Sequence, residues 1–261
     1  MRYNYSRIFL IIISSISIGS ILAISEKLLT KRIDSFLPES SEVLTFSRPG
    51  TITILSSNGT VIQKLGPATR EKVNYKEMPL LIKQAFIASE DRRFYKHNGL
   101  DPWGITRAIK HNFNEREIQE GASTITQQLA RLVFLSQTKT ITRKIKEAAL
   151  AVKIERQLSK EEILEQYLNN VYLGSSAYGV SDASWIYFSK TPKLLTLEEV
   201  ALIAGLAPAP SLFSPLVDPS LALKRRSIVL ERMYKEGFIS KMELSKAMSS
   251  SLKLNPSTPK Y

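Results

Sequence analysis

Four short pairs of residues constrain this chain more than any other feature: Thr124 with Gln127, Ser159 with Glu162, Thr196 with Glu199, and Ser240 with Glu243. In each, a hydroxyl residue stands three positions before a Gln or Glu. At that spacing the two side chains satisfy each other's backbone N–H groups at a helix start. Asp218-Pro219 marks a further start and Gly237 its end, since proline suits the first helical position and glycine tolerates a left-handed cap. From Pro79 onward almost everything reads as helix. Upstream, β-branched alternation from Thr51 to Leu55, the turn Ser57-Asn58-Gly59, and Thr60 to Ile62 predict a small hairpin. The expected fold class is mainly α with a minor β hairpin.

The N-terminal part predicts where such a domain works. Arg2 and Arg7 precede an uncharged run from Ile8 to Ser25, which ends at Glu26 and Lys27. A helical rise of about 1.5 Å per residue lets this run nearly cross a hydrocarbon core of roughly 30 Å. The two arginines place the N-terminus in the cytoplasm and the remainder outside. Residues 1–26 are therefore expected to be a cytoplasmic N-terminus and transmembrane helix, in preference to a signal peptide cleaved near Ala23-Ile24-Ser25. The polar stretch 27–50, with Pro38 and Pro49, reads as a stalk. The expected location is the inner (cytoplasmic) membrane, single-pass, with the main domain on the extracytoplasmic, periplasmic side. A net charge of +12 favours an anionic partner. Outside the cytoplasm that partner is not nucleic acid. The chain has no cysteine, so disulfide and thiolate chemistry are excluded, and two histidines argue against a zinc site.

The stretch Glu90 to Ala108 has the densest mixture of charge, rings and turn residues. With Asp101 as N-cap and Pro102 at the first helical position, it predicts a helix–loop–helix. Glu90 ends the first helix, either as part of a surface cluster with Arg92, Arg93 and His97 or as a general base. Asp91 suits an orienting or capping role, and His97 a structural hydrogen bond. His111 to Glu120, polar and without a period, reads as a loop between functional helices.

Two further helices carry candidate chemistry. In the one starting after Thr124, Ile125, Leu129 and Leu132 form a core stripe. Thr124, Gln128 and Arg131 form another, which suits a phosphate or sugar, or else is a solvated face. In the next helix, Ile141, Ile145, Ala148 and Val152 are expected to share the buried stripe. Arg143 and Lys144 flank Glu147, so two cations meet one carboxylate, with a surface ion-pair ladder as the alternative.

Taken together, several long segments resemble the family 51 glycosyltransferases, the peptidoglycan polymerases found alone or as the N-terminal half of class A penicillin-binding proteins. They are Glu90-Asp-Arg-Arg-Phe94-Tyr-Lys-His97-Asn-Gly99, Gly121-Ala-Ser-Thr-Ile-Thr-Gln-Gln-Leu129, Arg143-Lys-Ile-Lys-Glu147-Ala, and Lys160 through Tyr167 to Gly174. A further stretch runs from Ala177-Tyr178-Gly179 through Tyr187-Phe188 to Pro208. The resemblance covers about residues 50 to 240, in order.

What the resemblance implies is specific. The fold would be a lysozyme-like glycosyltransferase domain, 51–240, with a large head and a small apolar, membrane-proximal jaw. Residues 241–261 would be a linker-like C-terminal helix and tail. The reaction would join lipid II units into β-1,4 glycan with inversion, releasing undecaprenyl pyrophosphate. By position, Glu90 matches the base and Glu147 the second glutamate, which assists the leaving group directly or through a divalent ion. Gln128, Arg131, Arg143 and Lys144 fall at donor-contacting positions, while Thr124, Asp91, Phe94 and His97 shape the cleft. No nucleotide cofactor would be required; a divalent cation, Mg or Mn, at the donor pyrophosphate is the one cofactor implied. Partners would be lipid II, the growing glycan strand, the membrane, and cell-wall synthesis or division proteins.

The chain also departs from the family pattern. Ala122 and Ser189 stand where glycine is usual, Arg131 replaces a lysine, and Leu132 an asparagine. None of these removes a carboxylate, so activity is expected. Ser136-Gln-Thr-Lys139 and Ser250-Ser-Leu-Lys253 match the short pattern of a transpeptidase nucleophile, but no Lys-Thr-Gly follows. No penicillin-binding activity is expected in these residues. Two other functions fit less well: a lysozyme-like glycan-cleaving enzyme and an inactive lipid II-binding scaffold.

Overall fold

The capping boxes form where their spacing predicts. Thr124 accepts from Gln127 N at 3.1 Å while its own N–H reaches Gln127 Oε1 at 2.9 Å. Ser159 and Ser240 make the same reciprocal pairs with Glu162 and Glu243, and Thr196 N–H reaches Glu199 Oε2 at 2.9 Å. Burial is no help at these exposed caps, but the bonds to serine hold the Glu162 and Glu243 carboxyls below their usual range. Asp218 caps its helix through Leu221 N at 2.9 Å, and Gly237 closes that helix with φ +73°.

The computed structural model describes residues 37–39, 41–46, 52–65, 72–104, 106, 123–135, 138 and 140–256. The expected transmembrane run, most of the stalk, the His111–Glu120 loop, Ala122 and three of the four residues of Ser136–Lys139 lie outside them. Among the described residues, no helix is long and apolar enough to cross a membrane. Contacts divide the chain into units 1–39 and 40–261, and all the described helices and strands lie in the second.

The elements are α1 (Glu42–Thr45), β1 (Ile52–Leu55), β2 (Val61–Leu65), α2 (Leu80–Glu90), α3 (Ile125–Phe134), α4 (Ile141–Gln157) and α5 (Lys160–Asn170). There follow α6 (Gly179–Phe188), α7 (Leu197–Leu206), α8 (Pro210–Phe213), α9 (Pro219–Lys235) and α10 (Lys241–Ser249). Single turns of 3-10 helix cover Phe94–Lys96 and Pro192–Leu194. Residues 102–104 are helical after Asp101, whose buried carboxylate lies against Gly104. The fold is mainly α. β1 and β2 pair antiparallel, Ile52 opposite Leu65, with an irregularity between Ile54 and Leu55.

α7 is the centre of the packing. Every residue from Val200 to Leu206 is buried, as expected for a helix apolar on all sides. α2 and α9 both pack on it and on each other, so the helix that ends in Glu90 is held from two directions. From α5 comes Tyr167, fully buried, whose ring meets Phe86 of α2 edge-on at 6.1 Å.

α4 corrects the expected stripe. Ile141 and Ile145 are 82% and 66% exposed, and Ala148 and Val152 are only half-buried. The buried face is Glu147, Leu150, Ala151 and Ile154 instead. The reason is geometric: Glu147 and Ile145 are two residues apart, about 160° round a helix of 3.6 residues per turn. A helix that turns Glu147 inward must turn Ile145 outward.

Candidate active site

α2 delivers Glu90 on its last residue, where the helix stops and the chain turns at Asp91. The side chain is half-buried. Its Oε1 accepts from Ser89 Oγ at 3.1 Å and its Oε2 from Gln128 Nε2 at 2.9 Å. Burial pushes the carboxyl above the ordinary glutamate range; the bonds from Gln128 and Ser89 and the charges of Arg225 and Arg232 oppose the shift without cancelling it. A carboxylate that is held in place, partly open and more basic than usual is what a general base needs.

Asp91 and His97 do something different. Both are buried, and His97 Nε2 donates to Asp91 at 2.9 and 3.0 Å. Asp91 Oδ2 also accepts the Ile125 N–H at 3.0 Å, one of the free donors at the start of α3. This carboxylate therefore fastens the loop after α2 to the N-terminus of α3. Phe94 is fully buried between Lys160, 4.4 Å above its ring, and the edges of Tyr95 and His97. Thr124 is buried too, and its hydroxyl donates to the Gly99 carbonyl at 2.7 Å. These four residues tie the loop after α2 to α3 and α5 beside Glu90.

Gly99 is the joint among three of the segments. Its φ is +92°, and a methyl there would meet the Ala151 carbonyl of α4 at 2.8 Å. Only glycine lets the loop lie this close to the helix that bears Glu147.

Glu147 is 0% exposed, so the surface-ladder reading fails. Arg143 Nη1 meets its Oε2 at 3.0 Å and Lys144 Nζ its Oε1 at 2.6 Å. An ionised buried carboxylate needs such pairing to persist. Lys144 also donates to Ser123 Oγ at 2.7 Å, just before α3. α3 thus joins the two carboxylates: Glu90 through Gln128, and Glu147 through Lys144 and Ser123. The solvated-face reading of Thr124, Gln128 and Arg131 fails with it, since Thr124 is buried and Gln128 is bonded at both ends of its amide. Arg131 is half-exposed, and among the described residues no carboxylate forms an ion pair with it.

Among the described residues, no three His, Asp or Glu side chains group as metal ligands. Both Glu147 oxygens are taken by cations of the chain itself. This donor set does not fit a protein-held divalent ion.

Tyr167 and the α9 arginines join the site without having been expected from the sequence. Tyr167 Oη donates to Gln128 Oε1 at 3.0 Å. Arg232 Nη1 donates to the Ser89 carbonyl at 2.7 Å, and Arg225 lies over the Phe213 ring at 4.7 Å. Arg225 and Arg232 stand about two helical turns apart on α9, and the charge of each is felt at Glu90. That stripe is readable only once α9 is known to pack against α2.

A family profile described as Transglycosylase matches residues 58–234. Penicillin-binding protein 1A of Escherichia coli (strain K12) is 47% identical over 206 residues, 79% of this chain and 24% of that protein. Penicillin-binding protein 1A of Neisseria cinerea is 46% identical over 201 residues, 77% of this chain and 25% of that protein. The crystal structure of penicillin-binding protein 1A from Haemophilus influenzae aligns at a TM-score of 0.47 with 24% identity, over 83% of this chain and 22% of that one. The chain spans about a quarter of the length of the curated relatives it matches.

Proposed function

The chain belongs to the transglycosylase family, the family 51 glycosyltransferases, and on that premise we propose that it polymerises lipid II into β-1,4-linked peptidoglycan strands. Glu90 takes the proton from the acceptor's sugar 4-hydroxyl. The freed oxygen attacks the donor's anomeric carbon from the face opposite the lipid. The bond from that carbon to the pyrophosphate breaks, the configuration inverts, and undecaprenyl pyrophosphate leaves.

Charge builds on the leaving pyrophosphate, and fixed cations are the effective way to stabilise it. Lys144, with its side chain 46% exposed, and Arg131 present positive charge on the α3–α4 side of the site. Arg143 is held against Glu147, and Glu147 orients both of its cations. A planar guanidinium at Arg131 offers a forked contact to phosphate oxygens. No nucleotide cofactor enters, because the donor is already activated. A divalent ion, if used, would arrive with the pyrophosphate rather than on the protein's own ligands.

A lysozyme-like head with an apolar jaw fits the outward-facing Ile141 and Ile145 beside the cationic face of α4. A single-pass anchor in the inner membrane, with the domain on the periplasmic side, would keep the site beside its lipid substrate. Contacts of the whole protein with cell-wall synthesis or division proteins would bring this site to where new glycan is laid down.

The observation that carries the reading is Glu90, half-open, basic and held by neutral donors. Incubation with lipid II tests it. Glycan growth is expected from the wild type, and growth lost by about 100-fold or more in Glu90→Gln. Cleavage of finished glycan without polymerisation would make the chain a hydrolase. Binding of lipid II without turnover would make it a scaffold.

A further inference from the structure

Gln128 stands between two groups that together dictate how its amide points. On one side is the Glu90 carboxylate, which accepts and cannot donate when ionised. On the other is the Tyr167 hydroxyl, 3.0 Å from the amide oxygen. With the amide nitrogen toward Glu90 and the oxygen toward Tyr167, both contacts are hydrogen bonds. With the amide reversed, oxygen would face carboxylate, two acceptors in contact. We propose that Tyr167 is a positioning residue for the base: its hydroxyl sets the amide of Gln128, and through it the placement of the Glu90 carboxylate.

The placement of Tyr167 supports this. Its ring is fully buried, packed edge-on against Phe86 of the same helix that bears Glu90. A buried hydroxyl is costly unless it is bonded, and a phenylalanine would fill the same space. The hydroxyl's bond is to Gln128 alone among the described residues. Opposite it, Ser89 Oγ holds the other oxygen of Glu90, and Arg232 holds the Ser89 carbonyl. The carboxylate is thus located from both sides, while its exposed part stays open.

The other charged groups near this triad are distinct from it. Arg225 and Arg232 of α9 act on Glu90, and Arg131 of α3 and Asp91 act on Tyr167. Asp91 is already occupied by His97 and the Ile125 N–H. Among the described residues the Tyr167 hydroxyl bonds to Gln128 and to none of these groups, so a change at Tyr167 registers through Gln128 rather than through them.

The inference rests on Glu90 being the base, and the test separates the two. Lipid II polymerisation is measured for the full chain and for Tyr167→Phe, Gln128→Leu and the double variant. Tyr167→Phe is expected to lower kcat about tenfold, leave KM for lipid II within about twofold, and move the acid limb of the kcat profile upward. In the Gln128→Leu background the same substitution is expected to change nothing further, because its effect passes through the amide. Tyr167→Phe at the wild-type kcat overturns the inference and leaves the base in place. Equal losses in both backgrounds overturn it too, since they mean Tyr167 acts only by packing. A wild type that does not polymerise overturns both readings, and thermal unfolding of each variant separates lost positioning from lost fold.

Discussion

Arg232 Nη1 donates to the Ser89 carbonyl at 2.7 Å, joining α9 to the last turn of α2 from far along the chain. The final carbonyls of a helix lack partners of their own, and a guanidinium there both satisfies one and places positive charge at the negative end of the dipole. The next residue is Glu90. One bond therefore steadies the backbone that bears Glu90, the proposed base, and lowers the cost of ionising it.

Arg232→Gln should move Glu90 the other way. Removing a nearby positive charge removes one of the influences that restrain the upward shift of Glu90. The acid limb of kcat/KM is then expected at higher pH than in the wild type, with kcat at its plateau lowered severalfold. Arg232→Lys should recover the charge effect but not the placement. A pH–rate profile for the three proteins reads both.

Glu90 itself is expected to show a conflict between activity and stability. Its carboxyl titrates higher in the folded chain than in the unfolded one, chiefly through burial. Between those two pKa values the folded state binds more protons, so this group favours folding at low pH and loses that contribution as pH rises through the folded pKa. Glu90→Gln cannot lose a proton. Its Tm relative to wild type should therefore be higher at about pH 8 than at about pH 4.5, while polymerisation is lost. A Tm difference that shrinks as pH rises contradicts the assignment.

The pairing of Glu147 separates charge placement from fold. Arg143→Ala leaves a fully buried carboxylate with Lys144 as its one cation, and breaking a buried pair in this way costs about 3–5 kcal/mol. Replacing Arg143 and Glu147 together by methionine should restore much of the stability, since no buried charge is then left unpaired. Polymerisation should stay low in both. Urea unfolding and the lipid II assay, run side by side, measure this.

Gly99→Ala is expected to be the more damaging of two glycine substitutions. A methyl at Gly99 meets the Ala151 backbone at 2.8 Å on a residue with φ +92°, so α4 must move. Strain and overpacking together suggest a loss of about 2–4 kcal/mol. Gly59 in the hairpin turn has φ +83° but nothing within 4 Å, so Gly59→Ala should cost only about 1 kcal/mol of backbone strain. Because α4 bears Glu147, the first variant should also lose polymerisation and the second should not.

Ser189 shows how a non-glycine residue is accommodated at a helix end. It adopts a left-handed conformation, φ +52°, at the end of α6. Its hydroxyl donates to the Asn255 carbonyl at 2.8 Å, while Asn255 N–H donates to the Tyr187 carbonyl at 3.0 Å. The side chain thus ties down the segment after α10, which offsets part of the strain that glycine would avoid.

By itself the sequence determined the elements. Helix starts at Thr124, Ser159, Thr196, Asp218 and Ser240, the Gly237 stop and the hairpin about Asn58-Gly59 depend on residues within four positions of each other. Capping and turn chemistry are completed inside such a window, so they survive whatever the rest of the chain does. The pairing of Arg143 and Lys144 with Glu147 is of the same kind. The tertiary structure decided which way each helix faces and what its polar residues are for. Ile145 points outward because Glu147 had to point inward. Gln128 serves Glu90 because Tyr167, from another helix, takes its other end. Arg232 reaches Ser89 because α7 brings α9 beside α2. Those choices depend on burial and on partners distant in sequence, and no local pattern encodes them.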